Sequence, residues 1–255
     1  MTAILKKELR TLFLSPMAYM IMGVFFTITG YLFVVLNLNY GKLCLHALGN
    51  PITPDMMNLS EMVIRPLFDN LIFLFLILVP MLTMRSFTEE KKMGTIELLY
   101  SYPLTDWQLI GGKLLGGLIM AMTMVGITFI YPILLFVLAP QGGLEWGMIF
   151  SCYAGVFLLL LAFVSLGIWA SSLTDNLVIS YLITFGSLLF FWIIGWMDKF
   201  VSYPLLKAIS SLSLVKHTGN FYKGVINTWD IGFFLLFSLF FLFLTYFSLE
   251  SRKYY

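Results

Sequence analysis

The chain of 255 residues is far more apolar than a soluble protein, with 60% hydrophobic residues, 11% charged residues and a mean hydropathy of +0.93. Soluble domains carry about 25% charged residues, so this composition excludes a soluble globular protein and indicates an integral membrane protein. The formal net charge of +2 is too small to indicate a nucleic-acid partner.

The first predicted element is an amphipathic helix over residues 3–15. Its apolar residues recur at helical spacing, and its cations fall largely on other faces. The apolar residues are Leu5, Leu9, Leu12 and Phe13, and the cations are Lys6, Lys7 and Arg10. Such a helix is typical of the membrane interface, with its cations at the headgroups. The alternative is an N-terminal extension of the first span, which Pro16 disfavours.

Six long stretches without Asp, Glu, Lys or Arg hold most of the remaining residues. A helix needs about 20 apolar residues to cross a bilayer core of about 30 Å, and a charge placed there is costly. We therefore predict one all-α membrane domain over residues 1–255, with spans near 17–36, 67–84, 114–138, 147–171, 176–197 and 230–249. The second span has the shortest charge-free stretch, so Asp69 is expected at the membrane boundary or in a helix packed against protein.

The distribution of Lys and Arg predicts the orientation of these spans. The connections on the side of the two termini carry nine cations, and those on the opposite side carry six. Because cytoplasmic connections are enriched in Lys and Arg, both termini are expected in the cytoplasm.

The connection 85–113 between the second and third spans is the part of the sequence that says most about function. A helix can continue to Lys92, Gly94 interrupts it, and Thr95 can cap a short helix over 96–100 that ends before Pro103. A capping box then starts a new helix at Thr105. Such an element can transmit force between a cytoplasmic partner and two spans; the alternative is a solvated charged loop.

This connection resembles the signature of ABC-2-type transporter permeases, and the resemblance extends over the whole chain. The matching residues are Glu89, Glu90, Lys91, Lys92, Gly94, Thr95, Glu97, Leu98 and Pro103. In that family the connection is a coupling helix seated in a cleft of the ATPase subunit. The resemblance therefore implies that these residues contact a cytoplasmic ABC ATPase.

A weaker resemblance covers the connection 198–229 and the start of the last span, through residues that include His217, Gly224 and Asp230. It implies a re-entrant helix pair, formed in part by the apolar segment around Pro204, that closes the pathway on the outer side. An external loop that rests on the membrane is the alternative.

The resemblance further implies a permease subunit of an exporter in the bacterial cytoplasmic membrane, paired with a second permease that is identical or different. ATP and Mg²⁺ are expected on the separate ATPase, because Gly111-Gly112-Lys113 lacks the upstream glycine of a P-loop and is followed by Leu114. We expect no catalytic, metal or cofactor site on this chain. Among subfamilies, the sequence is most similar to permeases of gliding-motility and copper-enzyme-maturation operons.

Three other classes of protein fit the sequence less well. An intramembrane enzyme needs paired carboxylates or histidines within the spans, whereas His46 and His217 both lie in connections. A secondary carrier usually buries ionisable residues near the bilayer midplane. A membrane scaffold that docks a cytoplasmic partner without ATP-driven motion would use the same charged connection, so it stays open.

Overall fold

The computed structural model describes residues 2–47, 58–95, 105–139, 143–195 and 210–252. All regular structure within these ranges is helical, and they contain no strand. The prediction of an all-α membrane protein is confirmed.

In chain order the helices are α1 (Thr2–Phe13), α2 (Pro16–Ala47), α3 (Arg65–Thr83), α4 (Thr88–Lys92), α5 (Asp106–Ile127), α6 (Ile130–Leu138), α7 (Trp146–Leu173), α8 (Leu177–Ile193), α9 (Leu214–Phe221) and α10 (Thr228–Arg252). A π-helical turn over Ser60–Ile64 leads directly into α3.

Five stretches within the described ranges are long and apolar enough to cross a membrane. They are Pro16–His46, Ser60–Lys92, Asp106–Leu138, Trp146–Leu173 and Thr228–Ser251. The apolar helix α8 is shorter, at 17 residues. The stretch at the second predicted span is longer than expected, because the π-helical turn extends it before residue 67 and α4 extends it after residue 84.

Helix α7 lies at the centre of the bundle and packs against α3, α5, α8, α9 and α10. The spans differ in burial. In the most apolar 18-residue stretch of each span, 72% of the residues are buried in the span that contains α3, 67% in α7 and 17% in α2. The hydrophobic core therefore forms around α3 and α7, and α2 presents most of its apolar surface outward. Asp69 and Asn70, near the start of α3, lie outside this core and are exposed.

The third predicted span is divided into α5 and α6 by a turn at Thr128 and Phe129. Pro132 lies in the first turn of α6, where a helix does not need the missing N–H group. The hydroxyl of Thr128 bonds to the carbonyl of Val125 at 2.6 Å, which satisfies a polar group at the break.

The bundle has two ends, which we call the near face and the far face. The near face comprises α1, α4 and the C-terminal ends of α7 and α10; the far face comprises α9 and the N-terminal ends of α7 and α10. Helix α8 rises only about 25 Å, less than the roughly 30 Å of a bilayer core. Ser213, just before α9, lies against Gly195 just after α8, so the start of α9 packs at the far end of that short span.

Candidate functional site

Four charged side chains form a cluster at the near face, in which Glu90 and Lys113 are buried and Lys7 is exposed. Lys113 Nζ lies 2.8 Å from Glu8 Oε1 and 2.8 Å from Glu90 Oε2, and Lys7 Nζ lies 2.8 Å from Glu90 Oε1. The side chain of Lys113 is only 1% exposed, and its ammonium also lies 4.7 Å from the centre of the Phe87 ring. We call Lys7, Glu8, Glu90 and Lys113 the Lys113 cluster; its formal charges sum to zero.

The Lys113 cluster joins three separate elements of the near face. Helix α1 supplies Lys7 and Glu8, α4 supplies Glu90, and α5 supplies Lys113. Because removal of one partner leaves a buried charge uncompensated, these elements are held together more strongly than surface ion pairs would hold them. Any displacement of α4 is therefore resisted by, or transmitted to, α1 and α5.

Two glycines of α5 allow α1 to approach closely enough for these contacts. A Cβ atom at Gly112 would lie 2.7 Å from Ile4 Cγ2, and one at Gly116 would lie 2.9 Å from Glu8 Cβ. The spacing Gly112-x-x-x-Gly116 is typical of close helix packing, and its partner here is the N-terminal helix. The predicted interfacial helix thus also packs on the third span.

Replacement of Gly112 by valine should displace α1 from α5, since the added side chain would occupy the space of Ile4. Overpacking of this kind costs about 1–3 kcal/mol. Hydrogen–deuterium exchange should show faster exchange of the α1 amides in Gly112→Val. Gly126→Val in the same helix is the matched control, because no atom of the described residues lies within 4 Å of a Cβ atom there. Equal exchange in the two variants would contradict the packing role of Gly112.

Helix α4 is also bonded to the near-face end of α7. The hydroxyl of Thr88 donates to the carbonyl of Ser171 at 3.1 Å, and the ammonium of Lys91 donates to the carbonyl of Ser172. The hydroxyl of Ser248 in α10 donates to the same Ser172 carbonyl at 3.1 Å. The short helix α4 is therefore linked to α1, α5 and α7, and through Ser172 to α10.

Gly94 ends α4 in the left-handed conformation, with φ of 66°. Its N–H donates to the carbonyl of Lys91 at 3.0 Å, which is typical of a helix C-terminus. Thr95 folds back, and its N–H and hydroxyl both donate to the carbonyl of Glu90, at 3.0 and 3.2 Å. Three of the predicted coupling residues, Glu97, Leu98 and Pro103, lie outside the described residues.

The predicted coupling residues that the structure describes divide into two groups. Glu90 and Lys91 bond to other helices and Thr95 bonds back to Glu90, whereas Lys92 is exposed and Glu89 is partly exposed. Sequence reasoning missed Glu8, Lys113, Ser171 and Ser172. For Glu8 and Lys113 the sequence did offer a signal. Lys113 stands alone at the start of an apolar run, and Glu8 is the single acid of the amphipathic helix.

The surroundings of Lys7 change its pKa. Burial alone lowers the pKa of Lys7, but its hydrogen bond to Glu90 and the charges of Glu90 and Glu8 raise it above its ordinary value overall. A raised pKa of a lysine stabilises the folded state below the ordinary pKa, and this contribution is lost as pH rises through the raised value. Lys7 therefore stays paired with Glu90 throughout the neutral range.

At the far face, two predicted gate residues contact each other directly. His217 Nδ1 lies 2.6 Å from Asp230 Oδ1, and His217 Nε2 lies 2.8 Å from the carbonyl oxygen of Ser211. Asn220 Nδ2 donates to the other oxygen of Asp230 at 2.8 Å, and the His217 ring stacks on Phe233 with centroids 4.0 Å apart. We call His217, Asn220 and Asp230 the far-face cluster; it joins α9 to the start of α10.

The other two residues predicted to lie at the outer gate are Gly224 and Pro204. Gly224 follows α9 with φ of 76°, and a Cβ atom there would lie 3.5 Å from Met148 Cα at the far end of α7. Pro204 lies outside the described residues, as does most of the segment expected to form the re-entrant pair. Helix α9 is the part of the connection 198–229 that is described as an α-helix.

Loss of the far-face cluster should loosen α9. In His217→Ala the buried carboxylate of Asp230, only 4% exposed, keeps Asn220 but loses its imidazole partner. Such a loss costs about 1–3 kcal/mol, so amides of α9 should exchange about tenfold faster in hydrogen–deuterium exchange. His46→Ala, at an exposed histidine of α2, is the control. Unchanged protection of α9 in His217→Ala would contradict this role.

Comparison with known proteins identifies the chain. A sequence model of the family described as ABC-2 family transporter protein matches residues 2–222. The chain belongs to this ABC-2 transporter family. The match includes α1, the Lys113 cluster, α4 and His217, so most of the sites described above lie within it.

Family membership makes the chain a multi-pass membrane permease component of an ABC transporter, a class that pairs with an ABC ATPase subunit. No curated protein and no solved structure matched the chain. The similarity to permeases of gliding-motility and copper-enzyme-maturation operons stays a prediction.

Proposed function

We propose that this ABC-2 permease is the transport subunit of an exporter in the bacterial cytoplasmic membrane, driven by a separate ATPase that docks on the near face. The observation that carries the proposal is the position of α4, which is bonded to α1, α5 and α7 at once. A solvated loop would not need links to three helices, of which those to α5 and α7 are buried. The near face, with both chain termini, is then cytoplasmic.

The docking surface combines the outward side of α4 with the connection that follows it. Lys92 and Met93 are exposed beside Gly94, while Glu90 and Lys91 hold α4 on the bundle. Glu97, Leu98 and Pro103 follow in the chain and resemble the remainder of the coupling signature. One side of the segment is therefore available to a partner, and the other transmits its movement.

Helix α7 provides a direct mechanical path between the two faces. Its near end accepts hydrogen bonds from α4 at Ser171 and Ser172, and Gly155 packs against Phe221 at the end of α9. Gly155 and Ser171 are 16 positions apart in the helix, which corresponds to a rise of roughly 24 Å. A shift of α4 that rotates or translates α7 would move α9 and the far-face cluster with it. ATP-driven closure of the ATPase could open the far face in this way.

The nucleotide is bound by the partner in this proposal. Phosphoryl transfer requires positioned backbone N–H groups, a lysine and a metal ligand. The lysine of Gly111-Gly112-Lys113 has its ammonium against Glu8 and Glu90 and is 2% exposed, so it does not face a phosphate. ATP and Mg²⁺ are therefore assigned to the ATPase subunit, and a second permease, identical or different, completes the complex.

Photo-crosslinking tests this assignment. A photoreactive residue in place of exposed Lys92 should crosslink to the co-expressed ATPase, whereas the same residue in place of Val225, exposed at the far face, should not. The isolated permease should also fail to bind labelled ATP. Crosslinking only from position 225, or ATP binding by the permease alone, would refute the proposal.

A further inference from the structure

A cavity of about 340 Å³ opens between α1, the start of α2, the end of α3 and α4. Its size falls within the range of small-molecule sites, roughly 300–1,000 Å³. One end is polar and includes Ser15, Arg85 and Glu89, and the other end is apolar and includes Met17 and Ile21. The cavity lies where the amphipathic helix α1 meets the first membrane span, which is the depth of lipid headgroups.

The polar end holds two opposite charges, Glu89 and Arg85, and Arg85 donates a hydrogen bond to Ser15 Oγ at 3.4 Å. Glu8 and Glu90 also line the cavity, but Lys113 and Lys7 neutralise them. Within the described ranges no ion pair involves Arg85 or Glu89. These two residues are four apart, with the N–H of Glu89 3.4 Å from the Arg85 carbonyl, so their side chains are neighbours.

The apolar end continues into the membrane-facing surface of α2. Met17, Ile21, Val24 and Ile28 lie on one side of the helix at spacings of three and four residues. Val24 is 51% exposed and Ile28 is 37% exposed, whereas Ile21 is buried beside the cavity. From Met17 to Ile28 the helix rises roughly 16 Å, close to half the thickness of a bilayer core. This surface therefore has the length of one leaflet.

We propose that the cavity binds the headgroup of a zwitterionic phospholipid with a primary ammonium, such as phosphatidylethanolamine. Arg85 holds the phosphate diester, Glu89 accepts hydrogen bonds from the ammonium, and an acyl chain follows Ile21, Val24 and Ile28. An anionic lipid would leave Glu89 unpaired against its phosphate, and a choline headgroup has no N–H to donate. The lipid would fill the space between α1 and α4, independently of ATPase docking.

Native mass spectrometry of the full-length permease, purified without the ATPase, tests this site. In equimolar competition, phosphatidylethanolamine should be retained about tenfold over phosphatidylglycerol and phosphatidylcholine, as the gain of a charge-assisted hydrogen bond allows. Glu89→Gln should remove the preference, and Arg85→Gln should weaken retention of all three lipids. Glu61→Gln and Arg10→Gln, at exposed residues outside the cavity, are the matched controls.

Two further measurements test the lipid site without any variant of the chain. In the unmodified chain, phosphatidylethanolamine with a photoreactive acyl chain should label the α2 peptide around Val24. Soluble glycerophosphoethanolamine should compete far less well than the lipid. Equal retention of the three lipids, labelling confined to other helices, or equal competition by the soluble headgroup would each overturn the proposal.

Discussion

Lys113→Met should destabilise the permease by about 3–5 kcal/mol, the cost of leaving buried partner charges uncompensated. Lys113 is the cation shared by Glu8 and Glu90, and its side chain is 1% exposed. Thermal unfolding of the detergent-solubilised protein should show a lower midpoint, and α1 should exchange its amide hydrogens faster. In the complex, ATP hydrolysis should lose its dependence on the permease, because α4 is no longer fixed to α5.

The contacts of Lys113 also suggest a control variant and a variant that should restore stability to Lys113→Met. Lys92→Met removes an exposed lysine of α4 and should leave the unfolding midpoint nearly unchanged. Addition of Glu8→Gln and Glu90→Gln to Lys113→Met should recover much of the stability, since it removes both carboxylates left without Lys113 and keeps only the exposed charge of Lys7. A single Lys113→Met variant as stable as the parent protein would show that the Lys113 cluster does not hold the near face together.

Gly94→Pro should uncouple the permease from its ATPase. Proline fixes φ near −65°, whereas Gly94 has φ of 66°, and it also removes the N–H that donates to Lys91. The connection after α4 would then leave the near face in a different direction. The variant should insert into the membrane normally but lose the effect of the permease on ATP hydrolysis.

Gly94→Asn is the matched control, because asparagine adopts the left-handed conformation more readily than most residues. It should retain most of the coupling seen in the parent complex. Coupling that survives in Gly94→Pro, or that is lost equally in both variants, would mean that the bend after α4 does not transmit the ATPase movement.

The sequence predicted the membrane fold well because charge and apolar length determine it. Charge-free runs located the apolar helices, and Pro16 separated α1 from α2 as expected. The apolar helical stretch at the second span is longer than the predicted span, because the π-helical turn precedes it and α4, whose Glu90 is buried against Lys113, follows it. Burial of such residues depends on neighbouring helices, which a hydropathy pattern does not describe.

The candidate site was predictable only in part. The glycine at position 94 predicted the end of the helix that carries the acids and lysines before it, whereas the contact of this segment with an ATPase stays a prediction. The links to Ser171 and Ser172 use backbone carbonyls, which any residue supplies, so the sequence carries no signal for them. The contact between His217 and Asp230 joins two helices across a turn, and the family resemblance placed both residues in one region without pairing them.

In the proposed mechanism the ATPase moves α4, and α7 carries this movement to the far face. Spin labels at exposed Lys92 and exposed Val225 report the distance between the two ends of this path. In the complex, the distance distribution should differ between the nucleotide-free state and the state trapped with ATP and vanadate. It should stay constant in the permease alone and in the Gly94→Pro complex. The same distribution in both nucleotide states of the parent complex would contradict the claim.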